Sequence, residues 1–142
     1  MAPRLRFLSD IDVKITLQKI QESNRLAKLI SFDIDGTLEA GDPPGFLSMD
    51  VVRTAQQLGY LVGSCSDRPI STQERIWNEH GITVDFTVLK QNLGDVMAEF
   101  KADVYYHVGD TDIDRFFADK AGFQFIEALP EQWRLQITDI PV

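Results

Sequence analysis

The stretch Leu29-Ile30-Ser31-Phe32-Asp33-Ile34-Asp35-Gly36-Thr37 is an apolar run that ends in two aspartates, a glycine and a threonine. Leu29–Ile34 predicts a buried β-strand, because it is short and rich in branched and aromatic side chains. Gly36 then breaks the strand. Asp33 and Asp35 are two residues apart, so if the strand persists both carboxylates project to one side of the sheet edge.

Working outward, short apolar runs alternate with amphipathic stretches. Residues 39–45 hold two prolines and two glycines and must be a loop. Ser48 is positioned to cap a helix carrying Val51, Val52, Ala55 and Leu58 at helical spacing, which Gly59 closes. Tyr60–Ser66 predicts a second strand. Ser71-Thr72-Gln73-Glu74 has the pattern of a capping box for a helix that ends at Gly81. A third strand falls within Ile82–Leu89, and Asn92 caps a helix through Lys101. Val104–Val108 is a fourth strand, followed by a helix from about Asp112 to Ala121 and a fifth strand at Phe123–Ile126. Strands joined by helical crossovers predict an α/β, doubly wound (Rossmann-like), mostly parallel five-stranded sheet with helices on both faces. That body occupies residues 29–128. Residues 1–28 form a basic N-terminal segment whose helical part should pack on the body through Val13, Leu17 and Ile20, and residues 129–142 form a tail.

The 142 residues suit one domain, and 44% apolar with 25% charged residues is ordinary globular composition. No apolar run approaches the roughly 20 residues that span a bilayer, so no membrane partner is expected. The N-terminus lacks the apolar stretch of a secretory signal, and the single Cys65 has no disulfide partner within the chain, so the expected compartment is the cytoplasm. Residues 1–28 carry six Lys/Arg against three Asp/Glu, whereas the other 114 residues carry eight against nineteen. Such an acidic body repels nucleic acid, and no nucleic-acid binding is expected.

In a sheet of this kind ligands sit beyond the carboxyl ends of the strands. Those ends deliver Asp33 and Asp35 from the first strand, Ser66 from the second, Lys90 after the third, and Gly109-Asp110-Thr111-Asp112-Ile113-Asp114 from the fourth. Carboxylates about 4 Å apart repel by roughly 1 kcal/mol in water and several-fold more in a partly dry cleft. Asp33, Asp35 and Asp110 therefore coexist by binding a cation or by keeping a proton. An all-oxygen donor set favours Mg²⁺ over Zn²⁺. One aspartate can attack phosphorus and a second can serve as acid and base, while Ser66 and the Lys90 ammonium hold phosphoryl oxygens. His80 and His107, at a helix end and in an apolar strand, read as structural. Cys65, Trp77, Trp133 and the Phe116-Phe117 pair read as packing residues, and Arg68 either contacts substrate or pairs with a neighbouring aspartate.

Asp33-Ile34-Asp35-Gly36-Thr37 resembles the D-x-D-G-T motif of haloacid dehalogenase-like (HAD) phosphohydrolases, and Gly109-Asp110-Thr111-Asp112-Ile113-Asp114 resembles their G-D-x-x-x-D motif. Ser66, followed by Asp67-Arg68-Pro69, and Lys90 resemble the second and third motifs, in the family's order over residues 29–127. The resemblance implies a Mg²⁺-dependent phosphatase acting through an aspartyl-phosphate. Asp33 would be nucleophile and metal ligand, and Asp35 would be acid/base with its backbone carbonyl on the metal. Ser66 and Lys90 would grip the phosphoryl group, and Asp110 would bind the metal. Asp114 would ligate it, directly or through water, or orient Lys90. Lys90 is preferred to Lys101 because it opens a helix, and Asp114 is preferred to Asp112. The intervals of 33 residues between Asp33 and Ser66 and of 24 between Ser66 and Lys90 hold no cap domain. A capless site of this family takes a large phosphorylated substrate, borrows a lid from a neighbour in a homo-oligomer, or accepts a small phosphorylated metabolite. Two rivals keep the acids but not the turnover. One is an Asp-phosphorylated signalling module resembling a receiver, whose lysine would follow its Ser/Thr. The other is a non-catalytic binding protein on the same fold.

Overall fold

A computed structural model describes residues 9–142, with backbone alone for 19–25. Its elements run α1 (Asp10–Arg25), β1 (Lys28–Phe32), α2 (Met49–Gln57), β2 (Leu61–Ser66), α3 (Ile70–Glu79), β3 (Phe86–Leu89), a 3₁₀ turn at Lys90–Asn92, α4 (Leu93–Glu99), β4 (Val104–Gly109), α5 (Asp112–Ala121), β5 (Gln124–Glu127) and α6 (Pro130–Gln136). The five strands are parallel in the order β3-β2-β1-β4-β5. This is the doubly wound α/β sheet expected from the alternation of strands and helices.

The alternation of side chains along β1 explains why both faces need cover. Ile30 and Phe32 join one apolar cluster with residues of α2, α3 and α6, whereas Leu29 joins another with residues of α4 and α5. Three helices therefore lie on one face and two on the other. Strand order reverses beside β1, since β2 and β3 extend to one side and β4 and β5 to the other. The crevice at that reversal is where such sheets hold ligands. The chain between Asp33 and Ser66 is a loop, α2 and β2, and that between Ser66 and Lys90 is α3 and β3, so neither interval contains an inserted domain.

Local signals held where they were self-contained. Ser48 caps α2 by accepting the Val51 N–H, and Gly122 ends α5 at φ 87°. Thr111 and Asp114 form a capping box at the start of α5. Other expectations failed for tertiary reasons. The capping box expected at Ser71–Glu74 does not form: α3 starts at Ile70 with Pro69 as its cap, and Gln73 is buried with its amide committed elsewhere. Asn92 makes no backbone cap, and α4 stops at Glu99 rather than Lys101. Residues 129–142 contain α6, opened by Pro130, whose Trp133 is fully buried, stacks near Phe32 and donates its indole N–H to the Ile140 carbonyl at 2.8 Å. Val13 and Leu17 of α1, expected to pack on the body, are exposed. The Ile20 side chain, and residues 1–8 with the signal-peptide reading, lie outside the described residues. Among the described residues no helix is long and apolar enough to cross a membrane.

Candidate active site

β1 and β4 are hydrogen-bonded neighbours, and the Asp33 N–H continues their pairing to the Val108 carbonyl at 2.8 Å. That register sets Asp33, just past the end of β1, beside Asp110, just past the end of β4. One oxygen from each of Asp33, Asp110 and Asp114 lies within 4.8 Å of the others. Two glycines make the approach possible. A Cβ on Gly36, where φ is 74°, would fall 1.9 Å from Asp110 Oδ2. A Cβ on Gly109 would fall 2.3 Å from Asp114 Cγ. Each glycine is thus the gap into which a carboxylate fits.

Lys90, only 5% exposed, enters this cluster from the 3₁₀ turn after β3. Its Nζ lies 3.2 Å from Asp114 Oδ1, 3.4 Å from Asp67 Oδ2 and 3.9 Å from Asp33 Oδ1. Burial disfavours its charge, but the Asp33, Asp114 and Asp67 carboxylates outweigh burial and raise its proton affinity, so it remains an ammonium. Lys101, the competing lysine, is exposed.

Asp114 is completely buried, yet burial is outweighed by His107, Lys90 and Thr111, which hold its carboxyl below the usual range. Its oxygens are fully engaged by the protein. Oδ1 faces Lys90 Nζ and His107 Nε2 (3.1 Å), and Oδ2 accepts from the Thr111 N–H (3.2 Å) and hydroxyl (2.9 Å). Because a carboxylate can only accept, the buried His107 donates to it from Nε2, and its Nδ1 lies 3.0 Å from the Ser31 hydroxyl. Asp112, the alternative to Asp114, is exposed.

Asp33 lies in the opposite environment. Burial first, and then the charge of Asp114, push its carboxyl up to about 8 against the pull of Lys90. Burial and Asp114 thus favour its protonated form, and a divalent ion between Asp33 and Asp110 would favour the carboxylate instead. The donor set is all oxygen, which fits a hard cation.

Asp35 does not join this group, contrary to the expected crowding of Asp33, Asp35 and Asp110. β1 ends at Phe32, so strand alternation does not extend to position 35. The Asp35 carboxylate instead meets Arg68, with Nε 3.1 Å from both oxygens and Nη2 2.8 Å from Oδ1, and accepts the Asp42 N–H at 2.8 Å. Burial raises its proton affinity, but these hydrogen bonds and the Arg68 charge win, and the carboxyl sits below the ordinary value. Ser66 is buried at the end of β2, where its Oγ accepts the Arg68 N–H at 3.1 Å and its own proton stays available. Among the described residues, the buried Thr37 hydroxyl has no hydrogen-bond partner. Burial raises the proton affinity of the Cys65 thiol, in keeping with a core residue.

Sequence reasoning missed two participants. Gln73 shares an i, i+3, i+4 stripe with the buried Ile76 and Trp77, a spacing that marks it as inward-facing. His107 carried no such signal, because a histidine in an apolar strand is ambiguous until its partners are known.

No protein-family model matches this sequence, and no curated protein matches it. Among solved structures, the chain is similar to the core domain of a protein from Streptococcus pneumoniae TIGR4 provisionally described as a phosphoglycolate phosphatase. The TM-score is 0.58 at 18% identity, covering 75% of this chain and 82% of that one. At that identity the likeness establishes the fold.

Proposed function

We propose that this chain is a divalent-cation-dependent phosphomonoesterase of the HAD type, working through an aspartyl-phosphate on Asp33 in an open, capless site. The observation that carries this reading is the convergence of Asp33, Asp110 and the Lys90–Asp114 pair at the β1/β4 crevice. The shared fold of a phosphatase core domain supports it.

Asp33 and Asp110, with the Asp35 backbone carbonyl, would hold Mg²⁺, which supplies charge neutralisation for the carboxylates and for the phosphoryl group. Asp114, with both oxygens engaged, orients Lys90 instead of binding the cation directly. An Asp33 carboxylate oxygen attacks phosphorus as the ester P–O bond breaks, and the leaving oxygen takes a proton from Asp35, which carries one only after leaving the Arg68 fork. Water then attacks the same phosphorus, gives its proton to Asp35, and the Asp33–phosphorus bond breaks to release phosphate. Lys90 and the Ser66 hydroxyl stabilise the charge that develops on the non-bridging oxygens. An open site accommodates either a large phosphorylated partner or a small metabolite.

The test is phosphate release from an aryl phosphate with Mg²⁺. EDTA should abolish it, and Asp33→Asn should lower it by about four orders of magnitude or more. Release unchanged in Asp33→Asn eliminates the nucleophile, and a stable acyl phosphate trapped by acid without turnover selects the signalling module instead.

A further inference from the structure

Three carboxylates face the Lys90 ammonium, and they stand in different surroundings. Asp114 and Asp33, at 3.2 and 3.9 Å, are buried, whereas Asp67, at 3.4 Å, has a side chain 76% accessible to solvent. An ammonium offers three N–H donors and no acceptor. Each donor here has a carboxylate to face, so an oxygen arriving from solvent competes with one already in place. The one it meets is Asp67, because the other two lie in the interior.

The main chain beside Asp67 is fixed while its side chain is free. The Arg68 N–H is held on Ser66 Oγ at 3.1 Å, and the Arg68 carbonyl accepts from the completely buried Gln73 amide at 2.9 Å. That amide also donates to the Val88 carbonyl at 3.1 Å, and its oxygen accepts from the buried Ser64 hydroxyl at 2.6 Å. The turn after β2 is thus tied to α3 and to β3, the strand that leads into Lys90. Asp67 is kept within reach of the ammonium without being fastened to it, since an exposed ion pair contributes little and a carboxylate that leaves it is rehydrated. Asp114 has no such freedom, being buried and engaged through both oxygens.

We propose, on the reading above in which Lys90 grips phosphoryl oxygens, that Asp67 is a displaceable stand-in for the phosphoryl group. In the free protein its carboxylate takes the solvent-side donor of Lys90, and it yields that donor to a phosphoryl oxygen. No covalent bond changes and no proton moves: one anion replaces another on the same ammonium. Asp67 therefore weakens the hold of the open site on phosphate, whether carried by the substrate or released as product, because like charges contend for one partner.

The experiment measures the dissociation constant of inorganic phosphate by calorimetric titration with Mg²⁺, and KM and kcat for p-nitrophenyl phosphate. The proteins are the full chain as wild type, Asp67→Asn, Asp67→Ala and Asp42→Asn. Asp67→Asn, which removes the charge and keeps the shape, should tighten phosphate by about tenfold, with a matching fall in KM and no rise in kcat. Asp67→Ala should do the same. Asp42→Asn removes the same charge from another exposed residue and should change either constant by less than about twofold, which separates contact with Lys90 from the general field of an acidic surface. Unchanged phosphate affinity in Asp67→Asn, or an equal gain in Asp42→Asn, would overturn the proposal. Weaker binding in both Asp67 variants would overturn it too, and would make Asp67 a support for Lys90 instead of its competitor. Tighter phosphate in the Asp67 variants of a protein that turns over no ester upholds the exchange on Lys90 and refutes the phosphatase alone. Absence of phosphate binding in all four proteins refutes the phosphoryl site and the exchange with it.

Discussion

Two ionic clusters lie at one sheet edge and are built in opposite ways. In the β1/β4 crevice, Asp33, Asp114 and Lys90 are almost wholly removed from solvent, and the charges of Asp114 and Lys90 are each answered by several partners. On the rim, Asp35 and Arg68 answer chiefly each other and remain partly wet. Burial makes the first cluster electrostatically strong and intolerant of change, since an unpaired charge there cannot turn to water. Exposure makes the second cheap to keep and cheap to break.

The sharpest way to break this contrast is unfolding by urea. Lys90→Met should cost about 3 kcal/mol, because the ionised and buried Asp114 loses its counter-charge. Arg68→Ala should cost less than about 1 kcal/mol. Similar losses for the two variants would show that burial does not separate the clusters. Of intermediate size, Gly109→Ala should cost about 2 kcal/mol, as its new Cβ overlaps the Asp114 carboxyl and must push it off His107 and Lys90. A fully stable Gly109→Ala protein would mean that the crevice is looser than its distances imply.

The last test is a pH dependence. The Asp33 carboxyl is raised in the folded state, from the unfolded value of 3.8 to about 8. Folded protein therefore holds a proton that the unfolded chain releases, so this stabilisation is complete below about pH 4 and is lost as pH rises through about 8. In EDTA, the melting temperature should fall from pH 6 to pH 9, and the fall should be shallower in Asp33→Asn. Mg²⁺ should flatten it in the wild type. Identical slopes for wild type and Asp33→Asn would remove Asp33 as the source.

Much of the architecture was legible because its signals are local. The apolar run before Asp33, Ser48 before its helix and Gly122 after another act over a few residues, and the alternation they punctuate leaves few sheet topologies. The spacing of Gly109, Asp110 and Asp114 was also legible, although its reason was not: the glycine is a socket for the second carboxylate. What misled was polarity without context. Gln73 looked like half of a cap and is instead a buried tie. Residues 129–142 looked like a tail, yet Trp133, Ile137 and Ile140 are buried and complete one face of the sheet. Gln73 is decided by partners on the neighbouring strands and turn, Ser64, Arg68 and Val88, and Trp133 by Phe32, far away in the chain.

The amino-acid sequence alone determined the five strands and the helices between them, the acids at their ends and the lysine that accompanies them, because periodicity and chain-breaking residues act within a turn or two. Only the tertiary structure decided that Asp114 spends both oxygens on Lys90, His107 and Thr111, that Asp35 turns away to Arg68, and that burial raises the proton affinity of Asp33. Those outcomes depend on distances between strands that no local pattern encodes, and Coulombic and hydrogen-bond energies change steeply over such distances.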